Sequence, residues 1–392
     1  MKLWTGETVS VLGTSITQLA LPTLAILVFH AGPFQVGLLG ALVRLPFAVL
    51  ALPAGAWIDR LRRRNLMIVC DLGRVAALGF VPVAAALGIL TLTQLYVVAV
   101  VVGIFTVFFD IAYLAYLPAL IGEDDLLEGN QKLEVSYAVS SVAGPGLAGL
   151  LISAFGAARA IGADAASYLA SAVALLWIRE RESPPPASEA TFWHDLAEGL
   201  RFTFGHSVLG TMLLGMAGLI FGSHAAETVT YVYVYGPLQL TPAILGAILT
   251  IGGLGAIVGA VTSGFVARRV GTGRTVALTG IVSGLMFGMI PISQVLPAVP
   301  TLVVLVLVNS YFNPINNVTQ VSLRQRLTPD RLRGRMNAAF RLVYWTAWPL
   351  GNLAGGALGG RIGLVPTFAA GGALAIVGST AMLFTPIGRY RD

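Results

Sequence analysis

The chain has 392 residues, of which 56% are hydrophobic and only 11% charged, with a formal net charge of +6. Its one cysteine, Cys70, excludes a disulfide framework and a multi-cysteine metal site, and His30, His194, His206 and His224 show no ligand spacing. From Glu7 to Pro386 the sequence is a near-continuous series of apolar stretches of about 20 residues, the length that crosses a bilayer core as a helix. Such a chain reads as an all-α polytopic membrane protein.

The expected spans are 6–30, 35–57, 66–90, 94–121, 132–155, 159–178, 207–234, 241–266, 275–296, 299–323, 335–358 and 363–386. The first is too long for a signal-peptide core. In the second, Arg44 is an intramembrane cation that either balances a buried acid or attracts an anionic substrate. Asp71 and Arg74, near the start of the third, and Glu134, near that of the fifth, read as a charged collar around a gate. Asp110 lies inside the fourth span. A carboxylate there costs at least ~2.5 kcal/mol, so it needs a cavity or a partner. A structural ion pair or hydrogen bond and a protonatable coupling group both satisfy that requirement. Asp164 sits near the start of the sixth span, one turn from Arg159, where a local ion pair or cap competes with transport chemistry.

The connection from Arg179 to His206 contains Pro184, Pro185 and Pro186, which stop the sixth helix. A short amphipathic helix on the membrane surface is expected next, with Phe192, Trp193 and Leu196 as its apolar face. This divides the chain into a six-helix half at 1–178, a cytoplasmic linker at 179–206 and a second six-helix half at 207–392. In the seventh span Glu227 is the only carboxylate inside a span of the second half. His224, three residues earlier, shares its helical face and is a partner or a proton shuttle. Asn313, Asn316 and Asn317 bring amides into the tenth span, where they bond across helices or face water. Arg341, about one turn into the eleventh, is placed to reach the surface. Gln18, Arg44, Phe109, Tyr113, Tyr231, Asn313, Asn317 and Trp345 are the candidate lining of a wide cavity, suited to bulky amphiphilic compounds.

Alternate connections differ in charge. One set carries Arg60 to Arg64, then Arg179, Arg181 and Arg201, then Arg268, Arg269 and Arg274, then Arg331, Arg333 and Arg335, and finally Arg389 and Arg391; the other offers Arg159 and Arg361. The positive-inside rule places the first set, and both termini, in the cytoplasm. The halves also repeat. Asp125 to Gly129, followed by Gly144-Pro145 and Gly149, recurs as Asp330 to Gly334, followed by Trp348-Pro349 and Gly355-Gly356. Gly13 pairs with Gly222 in the same way, which aligns Gln18 with Glu227. Parallel six-helix repeats characterise one large class of secondary transporter.

Gly55-Ala56-Trp57-Ile58-Asp59-Arg60-Leu61-Arg62-Arg63-Arg64 resembles the loop motif of the major facilitator superfamily, with Arg62 where that motif has glycine. Ser140 to Gly149 is similar to its fifth-span antiporter motif, with Ser140 and Ala148 as departures. The fourth-span arginine of many proton-coupled drug exporters is missing between Gln94 and Leu120. Gly6 to Thr14, Leu52 to Gly55, Phe109 to Tyr113 and Asp164 to Leu169 resemble the bacterial branch of enterobactin-type siderophore exporters and macrolide efflux pumps. The resemblance implies twelve helices in two pseudo-symmetric halves, first and seventh spans lining a central cavity, and gating by Gly55, Asp59, Arg60, Arg64, Gly144, Pro145 and Gly149. With the cavity placed there, Glu227, Asp110, Asp164 and His224 are the proton-coupling candidates.

The expected function is secondary active export of a bulky amphiphilic small molecule by proton antiport, in a bacterial cytoplasmic membrane. A nutrient symporter or uniporter and a lipid-handling protein are the alternatives. No Walker sequence is present, so ATP hydrolysis by this chain is excluded. No constellation of nucleophile, base or metal ligands suggests an enzyme, and no cofactor is expected. The basic residues lie in short loops and signal topology rather than nucleic acid. Protons, lipids and one small-molecule substrate are the expected partners of a monomer.

Overall fold

The computed structural model describes residues 2–58, 61–121, 126–178 and 192–389. Among the described residues there is no strand. The described residues form twelve long helices in sequence: α1 (Lys2–Phe29), α2 (Pro33–Ile58), α3 (Arg63–Ala86), α4 (Leu92–Ile121), α5 (Leu126–Phe155), α6 (Ala157–Leu176), α8 (Ser207–Tyr235), α9 (Pro242–Val270), α10 (Thr272–Met289), α11 (Ala298–Arg326), α12 (Asp330–Arg361) and α13 (Leu364–Leu383). The short α7 (Phe192–Gly205) precedes α8, and α14 (Pro386–Arg389) follows α13. Ten of the long helices are long and apolar enough to cross a membrane. The other two are α6, which carries Arg159 and Asp164, and α12, which opens on Asp330, Arg331, Arg333 and Arg335.

Packing repeats between the halves. In the first, α1 packs on α6, α5 and α4, while α3 packs on α6 and α4; in the second, α8 packs on α13 and α12, while α10 packs on α13 and α11. Small residues allow the close approaches. A Cβ on Gly6 would meet the Ala174 side chain at 2.9 Å, and one on Gly222 would meet Ala375 backbone at 2.9 Å. With no hydrophobic drive between helices in lipid, such backbone contact is what holds them together.

Two compact units result. One comprises 1–30, 42–190 and 241–250; the other comprises 31–41, 191–240 and 251–392. Each therefore contains the opening turns of a helix from the other half of the sequence. In the first unit Gly149 lies against Ala243 and Gly246, and the Ala243 amide donates to Ser153 Oγ at 3.0 Å. In the second, Gly356 lies against Phe34 and Gly37.

The helix at 192–205 belongs to the second unit. Leu196, Gly199 and Thr203 form its buried face, at helical spacing, and it packs on α12 and α8. Glu198 bonds Arg335 and lies 3.6 Å from Arg331. The side chains of Phe192 and Trp193 and the linker residues 179–191 lie outside the described residues. His206 caps α8: its ring Nδ1 accepts from the amides of Val208 (3.3 Å) and Leu209 (3.4 Å), satisfying donors that the helix start leaves free.

Candidate functional site

The charged residues inside the spans gather mostly in the first unit. Arg74, on α3, is 3% exposed and pairs with fully buried Asp71 one turn earlier. Its guanidinium lies between two rings, 4.2 Å from the Phe109 centroid on α4 and 4.0 Å from that of Tyr168 on α6. This geometry combines ion pairing with cation–π contact. Glu7 on α1 and Asp110 on α4 add their charges to the field at Arg74. Asp71 also accepts from Ser171, and Tyr168 Oη is 2.8 Å from Thr14 Oγ1.

Two expectations change here. Asp71 and Arg74 are not a collar at the helix end. With α3 starting at Arg63, Asp71 lies about 12 Å along the helix and inside the bundle. Asp164 does not pair with Arg159, which is exposed. Its carboxylate is buried and accepts from Ser167 Oγ at 3.0 Å, facing Thr17 on α1. A solvated partner gives such a carboxylate little, whereas hydroxyls within the bundle satisfy part of it directly.

Asp110 is accessible, with Arg74 and then Arg44 as the cations acting on it. Arg44 is half-buried and lies over the Phe47 ring at 5.8 Å. Phe109 and Tyr113 are buried and stack at 6.1 Å, beside the Arg74 guanidinium. Gln18 is exposed on α1.

The sequence reading missed Glu7. It is 6% exposed, interacts with Arg74, Asp110 and Asp71, and is hydrogen-bonded by Tyr137 of α5. The available signal was an acid within an apolar window, one residue after a glycine that draws α1 onto α6.

In the second unit His224 Nδ1 and Glu227 Oε2 are 2.6 Å apart, and the imidazole stacks on Trp348 with centroids 4.0 Å apart. Glu227 is 44% exposed, and its charge acts on half-buried Tyr231. Asn313 and Asn317 are exposed; Asn317 accepts from Gln320 at 3.1 Å, and Gln320 in turn accepts from Tyr344. Asn316 is instead buried, donating to Val276 O and Thr279 Oγ1. The Arg341 guanidinium lies over Trp345 at 5.9 Å.

Of the motif residues, Arg64 donates to Leu175 O and Leu176 O, both at 2.9 Å, and so caps α6. Arg63 donates to Ala115 O at 3.2 Å, tying α3 to α4. A cation among the last carbonyls of a helix is favoured by the helix dipole. Gly55 has open space where a Cβ would stand, so packing does not require glycine there. Gly144 lies against Ser15, and the Pro145 carbonyl lies against Gly246. Asp59 and Arg60 lie outside the described residues.

The sequence matches the family described as "Transmembrane secretion effector" over residues 1–391. The chain belongs to that family. It is a multi-pass secondary transporter of the major facilitator type, moves small molecules, and is not an enzyme. It is similar to the enterobactin exporter EntS of Salmonella typhimurium, at 27% identity over 92% of this chain and 84% of that protein. It is also similar to the multidrug efflux pump Tap of Mycolicibacterium fortuitum, at 28% identity over 91% of this chain and 88% of that pump. Among solved structures, a bacterial homologue of the iron transporter ferroportin superposes with a TM-score of 0.77 at 18% identity, covering 98% of this transporter and 97% of that chain. The nucleoside transporter NupG gives 0.77 at 12% identity, covering 100% and 99%. These likenesses show the fold: two pseudo-symmetric sets of six helices.

Proposed function

We propose that this transporter exports bulky amphiphilic small molecules by alternating access, exchanging them for protons across a bacterial cytoplasmic membrane. The observation that carries this reading is an excess of acid. In the first unit Glu7, Asp71, Asp110 and Asp164 surround one buried guanidinium, Arg74, with Arg44 beside Asp110. Carboxylates that outnumber their cations in a low-dielectric bundle hold protons or reach water. Reversible proton binding is what antiport requires. Asp110 and Asp164 are the sequence candidates that fall in this cluster.

The substrate class rests on the second unit, where Glu227, His224 on Trp348, Tyr231, Trp345, Asn313 and Asn317 mix aromatic, amide and acidic groups. Similarity to an enterobactin exporter and to a multidrug efflux pump supports the outward direction. Halves at 1–178 and 207–392, joined by 179–206, would be the moving bodies of a monomer with both termini cytoplasmic. Asp59 and Arg60, with Arg64, Gly144, Pro145 and Gly149, would serve the gate.

The test is transport in proteoliposomes under an imposed pH gradient, against macrolides, tetracyclines, cationic dyes and catecholate siderophores. Accumulation of at least one class that collapses with the gradient is expected, as is its loss in Glu227→Gln. Transport indifferent to the gradient for every compound moved would overturn proton exchange.

A further inference from the structure

Three of the four acids around Arg74 already have an arrangement of their own. Asp71 pairs with Arg74 directly, Asp164 takes the Ser167 hydroxyl, and Asp110 is accessible beside Arg44. Glu7 has only the Tyr137 hydroxyl. It is nine-tenths buried, its Oε2 makes no hydrogen bond, and two of the charges acting on it are carboxylates.

The groups acting on it are Arg74 and Asp71 on α3, Asp110 and Tyr113 on α4, and Tyr137 on α5; Cys70, Asp164 and Tyr168 join the same cluster through Arg74, and Glu134 through Tyr137. Only Arg74 among them is cationic, and it is committed to Asp71. An ionised Glu7 would thus share its one cation with Asp71, in an apolar bundle among like charges, which disfavours it against the neutral carboxyl. Gly6 forces this position, because its close approach to Ala174 and Ser171 seats the second turn of α1 against α6. The cluster is nevertheless open at two points. Tyr137, which bonds Glu7, is 44% exposed, and Asp110 is accessible.

We infer that Glu7 is a proton-binding site of the transport cycle, protonated while Arg74 is held by Asp71 and deprotonated when Arg74 turns to it. In the release step the Glu7 O–H bond breaks, the proton passes to water at Tyr137 or Asp110, and the carboxylate charge is taken up by the guanidinium. Nothing is oxidised or reduced. A metal ion is the other ligand that excess carboxylates attract, but no three His, Cys, Asp or Glu among the described residues are placed to hold one. The inference rests on the proton-exchange reading for its role in transport, though not for the existence of the site.

Infrared difference spectra of the purified full-length protein, titrated in pH without substrate, read protonated carboxyl groups directly. The wild type should lose a carboxyl stretching band as pH rises. Glu7→Gln should lack that component, and Glu7→Asp should retain it at a shifted frequency. In proteoliposomes Glu7→Gln should still move ethidium down its own gradient, while gradient-driven accumulation falls to the passive level. An identical band in wild type and Glu7→Gln would overturn the site, as would a band that tracks sodium rather than pH. Should Glu7→Gln fail to fold, Glu7→Asp decides: an unshifted band overturns the inference. If the band behaves as expected but the wild type ignores a pH gradient, the antiport reading fails and the proton site stands.

Discussion

The two halves share one packing frame and fill it with different chemistry. Where α1, α3 and α6 meet, the first half places Glu7, Asp71, Arg74 and Asp164. At the counterpart positions in α8, α10 and α13, the second half places Met216, Gly280, Ser283 and Gly372. The correspondence is physical as well as numerical: Asp71 accepts from Ser171, and Gly280 lies against the hydroxyl of Ser379, its repeat. Gly372 packs against the backbone at Gly284 and Gly288, where Asp164 reaches hydroxyls instead. One half thus stores charge at this junction, and the other closes it with backbone contact.

The comparison breaks most sharply at Arg74. Arg74→Met should leave Asp71 buried without its cation, a loss of about 3–5 kcal/mol, together with the ring contacts to Phe109 and Tyr168. The detergent-solubilised protein should unfold at a markedly lower temperature, or fail to accumulate; Asp71→Asn added to Arg74→Met should recover part of the loss. An unchanged melting temperature in the single variant would show that the cluster is not a buried ion pair.

The second half should be broken by size rather than charge. Gly222→Val pushes a side chain into the backbone at Gly371 and Ala375, and overpacking of this kind costs about 1–3 kcal/mol. Gly79→Val, in the first half and with open space around it, is the control and should melt close to wild type. A smaller effect is expected of Asn352→Ala, which removes the acceptor of Thr228 Oγ1 at 3.1 Å. A net hydrogen bond contributes about 1 kcal/mol, so the melting temperature should fall modestly. Smallest of all is Glu198→Gln. Its partners Arg331 and Arg335 are partly exposed, and such pairs contribute about 0–1 kcal/mol and weaken with salt. The difference from wild type should vanish in high salt, whereas that of Arg74→Met should persist.

Helix number and order were legible because each span is a long apolar run, and the repeat was legible because its glycines and prolines recur. The two helices with the weakest apolar signal, α6 and α12, were still recoverable from the repeat. What the sequence hid was depth. Reading spans from position 6 and position 66 made Glu7, Asp71 and Arg74 look terminal, whereas α1 begins at Lys2 and α3 at Arg63. Arginines at the start of α3 are stabilised by carbonyls of α4 and α6, so the helix extends into sequence that hydropathy assigns to a loop. Burial direction was hidden too. Asp164 and Arg159 are one turn apart in sequence, but only contacts from α1 reveal that one points inward. Tyr113 and Phe109 are buried in the Arg74 cluster, a placement that aromatic composition alone could not reveal.

The exchange of helix ends between the compact units bears on how such a chain arises and assembles. Gly149 of the first unit is covered by residues 242–246, and Gly356 of the second by residues 33–37. A six-helix fragment made alone would present uncovered glycine backbone to lipid, so each half of the sequence supplies the other with the last piece of its wall. The two contacts are the same contact made twice. Reciprocity of that kind is the mark of an isologous pair, and it is the pattern that joining two identical six-helix chains end to end leaves behind.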